Sequence, residues 1–331
     1  MKKHPGAYYG ARVKYGLMKK YLSPILFIIA TMLWGFAFSA QKAAADLPPF
    51  TLGALRSIIA VVFLAAVIPV LDKFTKNGRK IITDKKRPDL TKTELIGGLV
   101  SGIILAVASA FQQTGLGEGT DAGKAAFITA LYVVIVPLIS LIFGKRPPVT
   151  AYISVPLAVI GFYFLCIKPG STLVTSDLLV LICALIFATH IIAIDHFSPS
   201  CDGVRMSLVQ FFVAFLVNTV FALVLEMPLN APLIADRLPA ILYLAIGSSG
   251  IAYTLQIVGQ KDCDPTVASI LLSLESVFGV IGAAIFLGER MSGREYFGCA
   301  VVFVAVILSQ LDFKAIVARI KAKTVRKENK T

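Results

Sequence analysis

Ten hydrophobic runs of about 20 residues follow one another along the chain, and the charged residues collect between them. A helix rises 1.5 Å per residue, so each run is long enough to cross the ~30 Å hydrocarbon core of a bilayer. The pattern predicts an all-α polytopic membrane protein with ten transmembrane helices. The predicted spans are Leu22–Ala40, Phe50–Leu71, Glu94–Leu116, Ala122–Phe143, Val149–Ile167, Asp177–Asp195, Val204–Leu225, Pro239–Val258, Thr266–Leu287 and Arg294–Leu311.

The composition excludes a water-soluble globule, because 57% of the 331 residues are hydrophobic and only 15% are charged. The formal net charge of +13 suggests a nucleic-acid partner, but the cations lie in loops and tails beside the spans. With the amino terminus inside, 25 Lys and Arg residues fall on the cytoplasmic side and six on the outside. Positive charge marks cytoplasmic loops. We therefore expect both termini in the cytoplasm, a cell inner membrane location and no nucleic-acid binding.

The two ends of the chain are basic segments outside the predicted spans. Residues 1–21 combine Lys and Arg with tyrosines, which is typical of a segment that lies on an anionic membrane surface, and we expect it to be poorly ordered. Residues 312–331 form a basic cytoplasmic tail. The first span resembles a signal peptide, but nine further runs follow it and favour a retained span.

An internal repeat divides the chain into two five-helix halves, residues 22–168 and 169–311. A shift of 144 residues aligns Gln112 with Gln256 and Arg146 with Arg290, together with several further identical residues, without a gap. Because each half holds an odd number of spans, the second half enters the membrane upside down. Inverted halves of this kind are typical of transporters that expose a central cavity to one side and then to the other, which is alternating access.

Several short motifs resemble those of the EamA-type transporters of the drug/metabolite transporter superfamily. They are Leu33–Ala37, Ala54–Arg56, Phe127–Ile128, Gly144–Arg146, Leu274–Val277 and Gly288–Arg290. The resemblance covers roughly residues 22–311 and implies ten spans in two repeats, a transport function and export as the direction. One departure is Ser276, because members of the family usually carry proline after the glutamate. The sequence therefore leaves open whether span nine is kinked.

Two charged side chains inside spans are the first candidates for a substrate site, because a charge in the membrane interior is costly. Glu275 lies nine residues into span nine, about 14 Å along the helix and near the midplane. It is a candidate for binding an amino group or for carrying a coupled proton; the alternative is a structural carboxylate bonded to a neighbouring helix. Arg56, near the outer end of span two, either holds an anionic group or pairs with a carboxylate.

Uncharged polar residues complete the set of candidates. His190 titrates near neutral pH when unperturbed, so it suits a cavity or a proton-linked role, and packing is the alternative. Gln112 and Gln256 occupy equivalent positions of the two halves and suit a polar small molecule, but amides also join transmembrane helices. Trp34, Tyr132 and Ser273 are further cavity candidates.

No motif for an enzyme, a metal or a cofactor is present. The chain has no GxxxxGK[ST] loop, HExxH or GxSxG motif, and its histidines and cysteines lack metal-ligand spacing. We therefore expect a secondary active transporter of small polar or amphipathic metabolites such as amino acids, embedded in a lipid bilayer, without cofactor. The alternatives are uptake or exchange of a phosphorylated or nucleotide-linked metabolite, and, in another class, a lipid-modifying membrane enzyme or a non-transporting assembly component.

Overall fold

A computed structural model describes residues 5–75, 89–167, 174–286, 288 and 292–309, and every regular element in these ranges is a helix. The predicted tail 312–331 and the Glu289–Arg290 pair of the last motif lie outside the described residues. A π-helical segment, Tyr243–Tyr253, joins α10 to α11. The helices are α1 (Pro5–Ala43), α2 (Pro49–Thr75), α3 (Lys92–Gly117), α4 (Ala122–Ala130), α5 (Tyr132–Ile142), α6 (Ala151–Cys166), α7 (Thr175–Phe197), α8 (Gly203–Leu225), α9 (Ala231–Asp236), α10 (Leu238–Leu242), α11 (Thr254–Gln260), α12 (Pro265–Leu272), α13 (Glu275–Phe286) and α14 (Gly293–Ser309).

Eight helical stretches of the described chain are long and apolar enough to cross a membrane. They are Leu22–Ala43, Pro49–Lys73, Lys92–Gly117, Ala122–Ile142, Thr175–Ser200, Gly203–Leu225, Leu238–Gln260 and Pro265–Phe286. The all-helical prediction is confirmed. The other two predicted spans correspond to α6 and α14, whose 16 and 17 residues rise only about 24 to 26 Å and so fall short of a full hydrocarbon core.

Apolar side chains cover the outer faces of these helices. Ile142, Phe143 and Val224 are 82%, 71% and 74% exposed, respectively, whereas His190 and Gln210 are completely buried. A water-soluble protein distributes these residue types in the opposite way, because exposed apolar surface is costly in water. The outer surface is therefore suited to lipid.

The packing of the helices repeats within the described chain. α7 contacts α3 and the α4–α5 pair. In the same manner, α1 contacts the π segment, α11 and the α12–α13 pair. α2 contacts α8 and the π segment, and α8 contacts α2 and α3. α6 packs against α14. Each of these contacts has a counterpart when the five spans of one half are exchanged, in order, with the five spans of the other.

Two of the predicted spans are broken in the middle. The span predicted at Ala122–Phe143 divides into α4 and α5 at Leu131, and the span predicted at Thr266–Leu287 divides into α12 and α13 at residues 273–274. At the second break, the hydroxyl of Ser273 donates to the Ile270 carbonyl at 2.7 Å. Serine hydroxyls that bond to the backbone in this way compete with the helical ladder. Span nine is therefore interrupted without the proline that is usual in the family.

The amino-terminal segment and span eight have features that the hydrophobic pattern did not indicate. The backbone is helical from Pro5 onward, and the poor order expected of residues 1–21 stays a prediction. Span eight contains the π segment, in which Gly247, Ser248, Ser249 and Gly250 follow one another. π-Helical turns are rare and occur mostly at functional sites.

Ion pairs join the helices near their ends. The Arg237 guanidinium donates to Asp46 at 2.7 Å and lowers the pKa of that carboxyl. At the start of α4, Lys124 pairs with Asp177 at 2.5 Å, and both side chains are almost completely buried. These pairs connect segments that are distant in sequence. Two further pairs among the described residues are Arg205–Asp72 and Lys145–Asp195.

Candidate functional site

A cavity of about 40 Å³ lies at the centre of the helices, where residues of both halves meet. It is bordered by α1, α2, α3 and the α4–α5 pair from the first half, and by α7, the π segment, α11 and the α12–α13 pair from the second. Seven of the eight residues predicted to form a site line it. They are Trp34, Arg56, Gln112, Tyr132, His190, Gln256 and Glu275.

Ser273 is the predicted site residue that does not border the cavity. Its side chain is completely buried, and its hydroxyl is engaged by the carbonyl of Ile270. The carbonyl of Ser273 in turn accepts from the hydroxyl of Ser276 at 2.8 Å. Ser273 therefore shapes the break between α12 and α13 and does not face the cavity.

Arg56 is held by two serine hydroxyls of the π segment. Its Nε donates to Ser249 Oγ at 2.9 Å and its Nη2 to Ser248 Oγ at 3.1 Å. The guanidinium is buried, and it makes no ion pair with a carboxylate in the described part of the chain. Its Nη1 group makes no hydrogen bond to the described residues. The serines orient the cation without neutralising it.

Glu275 is the first residue of α13 and is 5% exposed. Its position follows from the break, because residues 273 and 274 turn the chain immediately before it. The carboxyl group makes no regular hydrogen bond to the described residues, and its Oε1 atom is sealed from solvent. The Tyr132 hydroxyl is close enough to interact with this carboxyl group, but the two make no regular hydrogen bond. An acidic side chain thus borders the cavity without a fixed partner.

Gln112 and Gln256, which the repeat alignment places at equivalent positions, have different surroundings. Gln112 accepts from Gln41 Nε2 at 2.9 Å and donates to Thr129 Oγ1 at 3.1 Å, so it joins α1, α3 and α4. Gln256 donates to Gln260 Oε1 at 2.9 Å, and its own Oε1 has no partner among the described residues. The first amide is occupied with helix contacts, whereas the second retains an acceptor for a ligand or a water.

Aromatic rings form one wall of the cavity. The Trp34 and Tyr253 ring centroids are 4.6 Å apart, and His190 meets Tyr253 edge-on at 5.8 Å. Trp34 donates its indole N–H to the Ser248 carbonyl at 3.1 Å. His190 Nε2 lies 3.1 Å from Gln210 Oε1, and its Nδ1 has no partner in the described chain. The wall offers flat apolar faces with a few polar atoms at their edges.

Three lining residues with polar groups were not predicted from the sequence, namely Gln41, Ser248 and Tyr253. Tyr253 follows Ala252, one of the alanines that the 144-residue shift aligns, but a tyrosine in an apolar run carries no signal of its own. The serines at 248 and 249 lie between two glycines, and that pattern favours close helix packing as much as binding. Only the backbone course shows which of these residues turn inward.

A metal is not favoured by the residues at this site. The described residues contain no cluster of three or more His, Cys, Asp or Glu side chains that could hold an ion. The unpartnered polar atoms of the cavity belong to residues of different charge and type. The arrangement can therefore hold a small organic molecule through one cation, one carboxyl group, amides and aromatic faces.

Comparison with known proteins gives the family. The model of the EamA-like transporter family matches residues 22–167 and 174–311. An uncharacterized transporter of Archaeoglobus fulgidus is 29% identical over 302 residues, which cover 89% of this chain and 87% of that protein. An uncharacterized transporter of Methanothermobacter thermautotrophicus is 25% identical over 288 residues, or 83% and 82% of the two chains.

A solved crystal structure has the same fold. It superposes with a TM-score of 0.66 and covers 87% of this chain and 96% of its own, at 18% sequence identity. An identity this low supports the fold alone. Together with the apolar helices and the family match over both halves, the comparisons show that the chain is a multi-pass membrane protein that belongs to the EamA-like transporter family.

Proposed function

We propose that the protein is a secondary active transporter that exports small polar or amphipathic metabolites, such as amino acids, by alternating access. The observation that carries this proposal is the central cavity, in which charged, amide and aromatic side chains meet inside a shell of apolar helices. A buried polar cavity between transmembrane helices is costly unless it is used, since polar groups in the membrane interior require partners. Transport of a polar molecule gives these groups a partner.

The proposal includes ten spans in two inverted five-helix repeats with both termini in the cytoplasm. The paired helix contacts and the corresponding breaks in spans four and nine support it. α6 and α14 supply the fifth and tenth crossings, and the bilayer thins locally where these short helices meet it. A fluorescent protein fused to the carboxyl terminus should fluoresce, and an alkaline phosphatase fused there should be inactive. The opposite pair of results would reverse the orientation.

The broken spans provide the points at which the helices bend during transport. A helix that is already interrupted at Leu131 or at residues 273–274 can bend there without breaking further hydrogen bonds of its ladder. Bending on one side of the cavity and then on the other would open it alternately, as in other transporters with discontinuous helices. Export is the direction that the resemblance to the family implies.

Each cavity residue has its own role in binding the substrate or in shaping the cavity. Glu275 holds an amino group of the substrate or carries a coupled proton, and Arg56 holds an acidic group. Gln256 and His190 offer hydrogen bonds through Oε1 and Nδ1, the atoms that have no partner among the described residues. Trp34 and Tyr132 form part of the cavity wall, while Gln112 and Ser273 maintain its shape.

The test is counterflow in proteoliposomes against pooled amino acids, polyamines, sugars and nucleosides, with and without a pH gradient. We expect Glu275→Gln to abolish the flux and to leave the protein folded, because the amide cannot carry the charge. Glu118→Gln is the matched control, since Glu118 is exposed at the end of α3 and does not border the cavity. A Glu275→Gln protein that transports at the wild-type rate removes this residue from the mechanism.

A further inference from the structure

A groove of about 430 Å³ lies on the outer surface of the helices, apart from the central cavity. It is bordered by α3, α5 and α7, and none of its lining residues also lines the cavity. Phe143 and Thr189 at its edges are exposed, so the groove is open to the outside of the protein. Small side chains, Ser140 on α5 and Ala193 on α7, leave space that larger ones would fill. We call it the lateral groove.

The lateral groove is largely apolar and carries its charges at one end. Val100, Ile139 and Ile192 supply aliphatic side chains, whereas Lys145 and Asp195 lie near the carboxyl ends of α5 and α7. Both helix ends belong to the side that the charge count assigns to the cytoplasm. In the proposed topology, the apolar part of the groove therefore faces the hydrocarbon chains of the bilayer, and its charged end lies at the level of the headgroups.

The turn after α5 fixes the position of Lys145. Gly144 adopts a φ of +74°, in the left-handed region that favours glycine. Its N–H donates to the Leu141 carbonyl at 3.0 Å, and the Lys145 N–H donates to the Ser140 carbonyl at 2.9 Å. This pair of bonds is a common helix ending. The chain therefore leaves α5 in a defined direction, and Lys145 Nζ reaches Asp195 Oδ2 at 2.5 Å.

The charged end of the groove has an excess of positive charge. The Lys145 side chain is 57% exposed and that of Asp195 only 12%, so the carboxylate is shielded and the ammonium group remains open to the outside. Arg146 follows directly and is exposed. With His196 neutral, two cations and one carboxylate leave a net charge of +1. This charge matches the single negative charge of a phosphodiester, for which Lys and Arg are the usual partners.

We infer that the lateral groove is a binding site for one anionic phospholipid of the surrounding bilayer. One acyl chain occupies the groove, whose volume of about 430 Å³ is close to that of a long chain. The phosphate lies against Lys145 and Arg146. The cytoplasmic leaflet carries anionic lipids, and basic pockets between transmembrane helices on that side bind acidic headgroups. The inference does not depend on the transported substrate.

Charge selects this occupant over two others. A phosphatidylcholine headgroup would place its own cation beside Arg146. A second copy of the chain would cover Lys145 and Arg146, and removing two cations from water is costly. An anionic lipid leaves the cations at the wet headgroup level and gives them a partner. Because it contacts α5 and α7 together, it also connects the second half of the broken span four to a neighbouring helix.

The experiment measures lipid binding to the purified full chain after delipidation in a nonionic detergent. Palmitoyl-oleoyl phosphatidylglycerol, the corresponding phosphatidylcholine and glycerol 3-phosphate are titrated separately, and native mass spectrometry counts the bound molecules. We expect a single tightly held phosphatidylglycerol per chain. It should bind at least about fivefold more tightly than phosphatidylcholine, because each Lys or Arg near an anionic headgroup contributes roughly that factor. Glycerol 3-phosphate, which has no acyl chain, should not bind measurably.

Charge variants test the headgroup end. Arg146→Gln should lower the affinity for phosphatidylglycerol about fivefold and leave that for phosphatidylcholine unchanged. Asp195→Asn should raise the affinity for phosphatidylglycerol, because it removes the carboxylate beside the phosphate. Lys73→Gln is the matched control, since Lys73 is exposed near the end of α2 on the same side and does not border the groove. It should bind like the wild type.

Size variants test the acyl chain. Ala193→Phe should fill the groove and abolish the tight binding of phosphatidylglycerol while all cations remain. Val220→Phe is the matched control, because Val220 lies on the outer face of α8 and is 59% exposed. Thr189→Phe, at another position of the groove, serves as a second variant if Ala193→Phe does not fold.

Several outcomes would overturn the lipid site. They are equal affinities for phosphatidylglycerol and phosphatidylcholine, a loss in Arg146→Gln no larger than in Lys73→Gln, and unchanged phosphatidylglycerol binding in Ala193→Phe. Binding of glycerol 3-phosphate as tightly as the lipid would indicate a site for free phosphate instead. A dimer that dissociates in Ala193→Phe, with no tightly bound lipid in the wild type, would show that a second copy of the chain covers the groove.

Discussion

The two broken spans of the protein have the same design but different chemistry. In the first half, α4 and α5 meet at Leu131 and the next residue, Tyr132, faces the cavity. In the second half, α12 and α13 meet at residues 273–274 and the next residue, Glu275, faces the same cavity. One break thus presents a phenol and the other a carboxyl group. Corresponding backbone features can therefore deliver side chains of different function to one site.

The two spans are also anchored differently at their amino-terminal ends. Asp121 precedes α4 but makes no side-chain cap, and the nearby Lys124 is bound to Asp177 of α7 instead. At the start of α12, Asp264 accepts from the backbone N–H groups of Thr266 and Val267 at 2.9 and 3.4 Å. The first span is held by a buried ion pair to another helix, and the second by a local cap.

The largest expected effect on stability concerns the ion pair. Lys124→Met should lower the free energy of unfolding by about 3 kcal/mol, because it leaves the Asp177 carboxylate buried without its cation. Titration with SDS in mixed micelles measures this change. The double variant Lys124→Met with Asp177→Asn should recover a large part of the loss, since no charge remains. Equal stability of the single and double variants would show that the pair does not anchor α4.

A smaller effect is expected at the cap of α12. Asp264→Ala should cost about 1 kcal/mol, the usual value for the loss of an N-cap side chain. Asp264→Asn keeps an acceptor oxygen and should remain within a few tenths of a kcal/mol of the wild type. The same micelle titration compares the two variants. If asparagine and alanine are equally destabilising, the cap hydrogen bonds contribute little and the contrast with α4 disappears.

The smallest effect is expected at the second break. Ser276→Pro removes two bonds to the Ser273 carbonyl, from the Ser276 N–H at 3.1 Å and from its hydroxyl at 2.8 Å. It places proline in the first turn of α13, where it is tolerated. The change should stay below about 1 kcal/mol. Val280→Pro, in the interior of the same helix, should cost about 3 kcal/mol or more. Equal losses for the two proline variants would mean that the break is not a preformed bend.

The sequence identified the charged part of the site because charges are rare inside spans. Glu275, Arg56 and His190 could be selected on that ground alone, and all three border the cavity. Serine and tyrosine occur throughout transmembrane helices, so Ser248 and Tyr253 gave no comparable signal. The direction in which each faces depends on helix rotation, which the hydrophobic pattern of a fully apolar run does not determine.

The helix breaks and the π segment were beyond the reach of the hydrophobic pattern. Hydrophobic residues continue through Leu131 and through Leu274, so each interrupted span looks like one uniform run. The break at residues 273–274 depends on serine hydroxyls that bond to backbone carbonyls, and serine makes such bonds in intact helices as well. The helical class was predictable from composition and run length, whereas its local interruptions required the hydrogen bonds.

The π segment also explains why Gln112 and Gln256, although aligned in sequence, differ in their contacts. α3 is α-helical throughout, while the corresponding span contains eleven π-helical residues before Gln256. A π turn takes up more residues than an α turn, so everything after Tyr253 is rotated about the helix axis. The number of π turns in this segment therefore sets the rotation of α11 about its axis. Conversion of even one π turn to an α turn would rotate α11 about its axis. Gln256 would then face a different neighbour without any change of sequence.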